Sequence, residues 1–80
     1  MLTIGEFSRL GRISARMLRY YDAIGLLRPE YVAENGYRFY DQRQLADLQR
    51  IRRLNDYGFP LPQISELLTL PEAQLAQRIH

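Results

Sequence analysis

Apolar residues first recur at helical spacing. In TIGEFSRLGRIS, Ile4, Phe7 and Leu10 form one stripe, and Thr3 and Glu6 stand in capping-box spacing ahead of it. The spacing predicts a helix of about two turns stopped by Gly11, with Ile13 plugging the turn after it. Ser14 then caps a second helix from Ala15 to about Ile24, with Leu18 and Tyr21 on its inner stripe and Gly25 at its end. Two short helices around a tight turn match the helix-turn-helix plan.

The pattern changes after Arg28-Pro29. YVAENGYRFY sets aromatic and β-branched residues on either side of Asn35-Gly36, a pair suited to a type I′ turn, whose two central residues both need φ > 0. A two-stranded hairpin is marginal alone, so this one has to lean on the helices as a wing. Tyr37, Phe39 and Tyr40 read as the packing that holds it. Asp41 and Gln44 repeat the capping-box spacing before a longer helix with Leu45, Leu48, Ile51 and Leu54 inward, Arg43, Arg50 and Arg53 off that stripe, and Gly58 at its end. PLPQISELL predicts another short helix with Leu61, Ile64, Leu67 and Leu68 apolar; Pro60 stands where a capping serine or threonine is expected. Pro71 opens a last helix in which Leu75 and Ile79 begin an i, i+4 stripe. A helix interrupted so early suggests a longer natural protein trimmed to its first domain. The expected fold is mainly α, a winged helix-turn-helix over residues 1–70, with residues 71–80 starting a further helix.

Composition narrows the classes. With 80 residues and 46% apolar content the chain is one small folded domain. The absence of cysteine leaves no disulfide framework and no thiolate metal site within these residues, and makes a reducing compartment the simpler setting. The start has no signal-peptide pattern, and no run approaches the ~20 apolar residues of a membrane span, so the chain reads as cytoplasmic. An enzyme is not expected: the one histidine is His80, there is no phosphate loop, and Glu30 and Glu34 flank a hairpin rather than a pocket. No cofactor is implied.

Charge adds a direction. All eleven cations are arginine. Residues 1–28 carry Arg9, Arg12, Arg16, Arg19 and Arg28 against Glu6 and Asp22, whereas residues 57–80 carry only Arg78 against Glu66 and Glu72. A basic end suits a polyanion such as nucleic acid; the alternative is a solvated arginine face.

In a helix-turn-helix the second helix enters the major groove. Its candidate contacts here are Ser14, Arg16, Met17, Arg19 and Tyr20. With Leu18 and Tyr21 turned inward, Arg16, Met17 and Tyr20 point outward. Arg19 and the Tyr20 hydroxyl suit phosphate, while the planar fork of Arg16 suits guanine O6 and N7. Tyr20 has a second reading, as an exposed ring covering arginine stems. Arg38 on the wing reaches a phosphate or minor groove, or pairs on the surface with Glu34 or Asp41.

IGEFSRLGRISARMLRYYDAIGLL, then a hairpin with GYRFY, then RLNDYGFPLPQISELL, resembles the DNA-binding domain of the MerR family of bacterial transcriptional regulators. The LRYYD, GLL-x-P and GYR-x-Y elements stand in the family's order over nearly the whole chain, and PEYV after GLLR resembles the branch that senses multiple drugs or small organic ligands. The resemblance implies that Arg19 and Tyr20 hold the DNA backbone, that Ser14, Arg16 and Met17 approach the major groove, and that Tyr37 and Arg38 supply the wing contact. It implies a homodimer through an antiparallel coiled coil, formed by the helix that begins near Glu72. It also implies promoter DNA with an overlong spacer, which an effector lets the protein untwist for RNA polymerase. A lack of cysteine in these residues does not exclude metal sensing, because the metal-responsive members carry their ligands further on. Two other readings stay open: an architectural, excisionase-like DNA binder, and a winged helix reused to bind protein. A coiled-coil helix and a ligand domain beyond His80 would mark a regulator, whereas a stop codon near His80 would favour the other two.

Overall fold

The computed structural model describes residues 1–69. In chain order these form β1 (Leu2–Thr3), α1 (Ile4–Gly11), α2 (Ala15–Ala23), β2 (Tyr31–Val32), β3 (Arg38–Tyr40), α3 (Gln44–Asp56) and α4 (Leu61–Thr69). The expected last helix, with Leu75 and Ile79, lies outside the described residues.

The first capping box forms in full: the Glu6 N–H donates to Thr3 Oγ1 at 3.1 Å and the Thr3 N–H donates to Glu6 Oε1 at 2.8 Å. The end of α1 differs from expectation. Gly11 is its last residue and is buried, and a Cβ there would lie 2.5 Å from Leu48 Cδ2. Glycine is needed for close approach to α3, not to stop the helix. The left-handed stop is Arg12, with φ 53°, whose N–H closes onto the carbonyls of Arg9 and Ser8. Its own carbonyl accepts from Arg52 Nη2 at 2.5 Å, so α3 holds the turn from below. Because Phe7 and Gly11 share the inner face of α1, Leu10 is rotated off it and is 58% exposed, contrary to its place on the expected stripe.

At α2 the Ser14 Oγ accepts from the Met17 N–H at 3.1 Å, and Gly25, at φ 72°, lets the chain turn out of the helix. The wing departs from expectation twice. The turn is not type I′: of its residues only Gly36 has positive φ, at 87°. The Gly36 N–H donates to the Ala33 carbonyl, and the Ala33 N–H donates to the Tyr37 carbonyl, both at 2.8 Å. That is a type I turn closed by a left-handed glycine, the three-residue hairpin loop with a bulge. Asn35 supplies a side-chain acceptor instead, taking the Tyr37 N–H at 3.1 Å.

The second departure is a third strand. β1 pairs antiparallel with β3, Leu2 opposite Tyr40 and Thr3 opposite Phe39, while β2 pairs on the other side, giving the order β1-β3-β2. The wing's inner strand is thus central, hydrogen-bonded to the residues that cap α1. Tyr40 stacks on Phe7 with ring centroids 4.5 Å apart, joining wing to core. Tyr37, read as wing packing, is instead 67% exposed, because its position in the bulge turns it to solvent.

Asp41 and Gln44 do interact, with the Asp41 N–H donating to Gln44 Oε1 and Asp41 Oδ1 accepting from the Arg43 N–H, each at 2.8 Å. The bonds close a turn just ahead of α3, which itself begins at Gln44. Gly58, at φ 105°, ends the helix as expected. The Pro60 carbonyl accepts the Ile64 N–H at 3.0 Å, so the proline opens α4 through its backbone. Ser65 Oγ donates to the Ile24 carbonyl at 2.9 Å, tying α4 to the end of α2. Phe7, Leu18, Tyr40, Leu48, Ile51 and Ile64 are fully buried where these elements meet. No helix among the described residues is long and apolar enough to cross a membrane.

Candidate nucleic-acid interface

Helix α2 divides by face as its sequence requires. Leu18 and Tyr21 are buried, while Arg16, Met17, Arg19 and Tyr20 are exposed, Tyr20 at 43%. Neither Arg16 nor Arg19 forms an ion pair among the described residues, leaving both guanidinium forks available. Ser14 uses one lone pair of its hydroxyl oxygen on the helix cap and keeps its O–H as a donor. These residues run along one side of α2, with its first N–H groups at one end, a surface suited to an anion.

The wing brings a second group beside the first. Arg19, Tyr37 and Arg38 line one open cleft with Thr3, Ile4, Gly36 and Phe39. The cleft joins the middle of α2, the tip of the wing and the start of α1. Ser14, Arg16, Met17 and Tyr20 lie outside it, along α2. Arg19 is common to both, so the exposed face of α2 and the wing cleft adjoin at that arginine.

Arg38 corrects one expectation. It pairs with neither Glu34 nor Asp41; its Nε donates to Asp22 Oδ2 at 3.1 Å, from wing to α2. A second ion pair, Arg43 with Asp41, stays within one turn. Beneath the Asp22–Arg38 bridge lies Tyr40, whose buried hydroxyl makes no hydrogen bond to the described residues. Burial pushes its pKa upward and Asp22 adds to that rise, while Arg38 and Arg19 act in the opposite sense. Sequence reasoning missed Asp22, although it stands in the LRYYD run at i+3 from Arg19. It also missed Thr3 and Ile4 as parts of the cleft, because two residues of strand carry no periodic signal.

No group of three or more histidine, cysteine, aspartate or glutamate residues is placed to hold a metal ion among the described residues. With a helix-turn-helix, a wing against its second helix and arginines across both, the domain is a winged helix-turn-helix of the DNA-binding class.

Comparison with known proteins identifies the particular family. Residues 2–70 match the MerR HTH family of regulatory proteins, and the chain belongs to that family. It is 42% identical over 69 residues to heavy metal-dependent transcription regulator 2 of Rhizobium meliloti, covering 86% of this chain and 47% of that protein. Its fold superposes with a TM-score of 0.81 on MtaN, the N-terminal part of the Bacillus subtilis multidrug transporter activator, at 31% identity over 99% of this chain and 78% of that one. HiNmlR, a MerR family regulator lacking the sensor domain and solved bound to promoter DNA, gives a TM-score of 0.80 at 27% identity, covering 98% of this chain and 64% of that one. The chain spans between about a quarter and about half the length of the curated relatives it matches. It is a DNA-binding domain of the transcription-regulator kind. The proteins it resembles thus include both a metal-dependent regulator and a multidrug transporter activator.

Proposed function

We propose that the protein is a transcriptional regulator that inserts α2 into the major groove of promoter DNA and lays its wing along the adjoining backbone. The observation that carries this reading is the joint exposure of Arg16, Met17, Arg19 and Tyr20 on one helix face, continuous with the Arg19–Tyr37–Arg38 cleft. Arg16 supplies base readout; Arg19, Tyr20, Tyr37 and Arg38 hold phosphates; Ser14 and Met17 line the approach of α2 to the groove. Family membership supports the rest: a cytoplasmic homodimer joined through the segment after residue 71, promoter distortion in response to an effector, and delivery of that DNA to RNA polymerase.

Fluorescence anisotropy tests the reading. The protein is titrated with the duplex upstream of its own gene and with a scrambled duplex, each at low and at physiological salt. Binding that weakens steeply with salt and favours the promoter duplex is the expected result. No binding to either duplex would overturn it and direct attention to a protein partner.

A further inference from the structure

The guanidinium of Arg38 is divided between two tasks. Its Nε is engaged by Asp22 on α2, at 3.1 Å, while its two terminal nitrogens make no hydrogen bond among the described residues. Both partners are only part-exposed, with side chains at 32% and 24%. The bridge crosses from wing to helix beside the cleft that Arg38 shares with Arg19. A guanidinium held through Nε is fixed in plane and direction, and its terminal N–H groups are aimed by that restraint.

We propose that Asp22 is a positioning residue for DNA binding: its carboxylate locks the wing to α2 through Arg38 Nε and so presents the free end of that guanidinium to a backbone phosphate. The inference deepens the DNA-binding reading and rests on it. A carboxylate on a DNA-facing surface otherwise opposes binding, since it repels phosphate. Its presence against Arg38, one helical turn on from Arg19, is accounted for if the orientation gained outweighs the repulsion. The two effects separate by sequence. Repulsion acts on every duplex alike, whereas orientation matters where both helix and wing must register at once.

Asp22→Asn keeps the shape and removes the charge. In the full chain it is expected to lower the ratio of promoter to scrambled affinity roughly three- to tenfold, as befits a part-exposed charge-assisted bond, with affinity for the scrambled duplex unchanged or higher. Arg38→Lys provides the second variant. An ammonium can face Asp22 or a phosphate but not both in the manner of a guanidinium, so the ratio should fall again although the charge is kept. Circular dichroism and thermal unfolding establish that each variant is folded, and amide exchange at Phe39 and Tyr40 should quicken in Asp22→Asn. Folded variants with the wild-type ratio, or an equal fall for both duplexes, would overturn the assignment while leaving the DNA reading in place. Wild-type protein that binds neither duplex would overturn both.

Discussion

Tyr40 shows how a single residue can sit at odds with its surroundings. Its ring is fully buried and stacked on Phe7, yet its hydroxyl has no partner among the described residues. An unpaired buried hydroxyl costs about 1–3 kcal/mol, so Tyr40→Phe should stabilise the domain by about 1 kcal/mol in urea unfolding, the lower figure reflecting the nearby guanidinium groups. A clear loss of stability would mean that the hydroxyl has a partner after all. Titration gives a companion test. Burial raises the pKa of both Tyr40 and Tyr21 above the ordinary 10.0, so the folded state holds these protons more tightly than the unfolded chain. Their contribution is complete below that value and is lost as pH rises through and beyond it. Stability should therefore fall in alkali, less steeply in Tyr40→Phe than in the wild type. At this scale the sequence showed which residues face outward on α2, because adjacent helical positions diverge by a fixed angle. It did not show the partner of Arg38, because Asp22 lies sixteen residues away and the hairpin register alone decides which carboxylate it meets.

Elements were legible where a cap and a stripe agree. Ser14 with Leu18 and Tyr21 identified α2, and Leu48 with Ile51 identified α3. The failures come from packing that local pattern does not encode. Gly11 carried a stop signal, but its service is to let α1 approach α3, and the stop fell to Arg12. Gly11→Ala tests this. Better helix propensity would favour the variant by about 1 kcal/mol. The methyl group, however, would meet the fully buried Leu48, and forcing it in costs about 1–3 kcal/mol, so a net loss is expected in urea unfolding. The same change in a Leu48→Ala background should cost little, since the obstacle is gone. Simple additivity would show that the close approach is not the constraint. The hairpin loop failed for a related reason: Asn-Gly suits two turn types, and the three-strand sheet takes the one that carries a bulge.

Over the whole molecule, charge placement matters more than the small net charge of +2. The arginines of α2 and the wing lie on one surface, so binding should respond to salt through a few definite phosphates. Arg19→Ala should weaken binding to all duplexes and reduce the salt slope by about 1. Arg16→Ala should instead relax sequence preference, at a cost of ~1–3 kcal/mol if it makes a bidentate base contact. Anisotropy at several salt concentrations distinguishes them; an Arg19→Ala protein with unchanged affinity and slope would sink the backbone role. The general plan was readable from the order of stripes, caps and breakers. The joining of the wing to α1 and α2 was not, since it rests on a strand of two residues and on an ion pair between Asp22 and Arg38, sixteen positions apart.

That strand changes how the protein should be handled. Thr3 caps α1 through its side chain and pairs with Phe39 through its backbone, so Leu2–Thr3 is a seam between the helix and the wing. An affinity tag or fluorophore joined there would sit against the surface under test, and trimming the chain back to Ile4 would loosen two elements at once. Tyr57, on the turn between α3 and α4, is 75% exposed, and a probe carried there leaves that seam untouched.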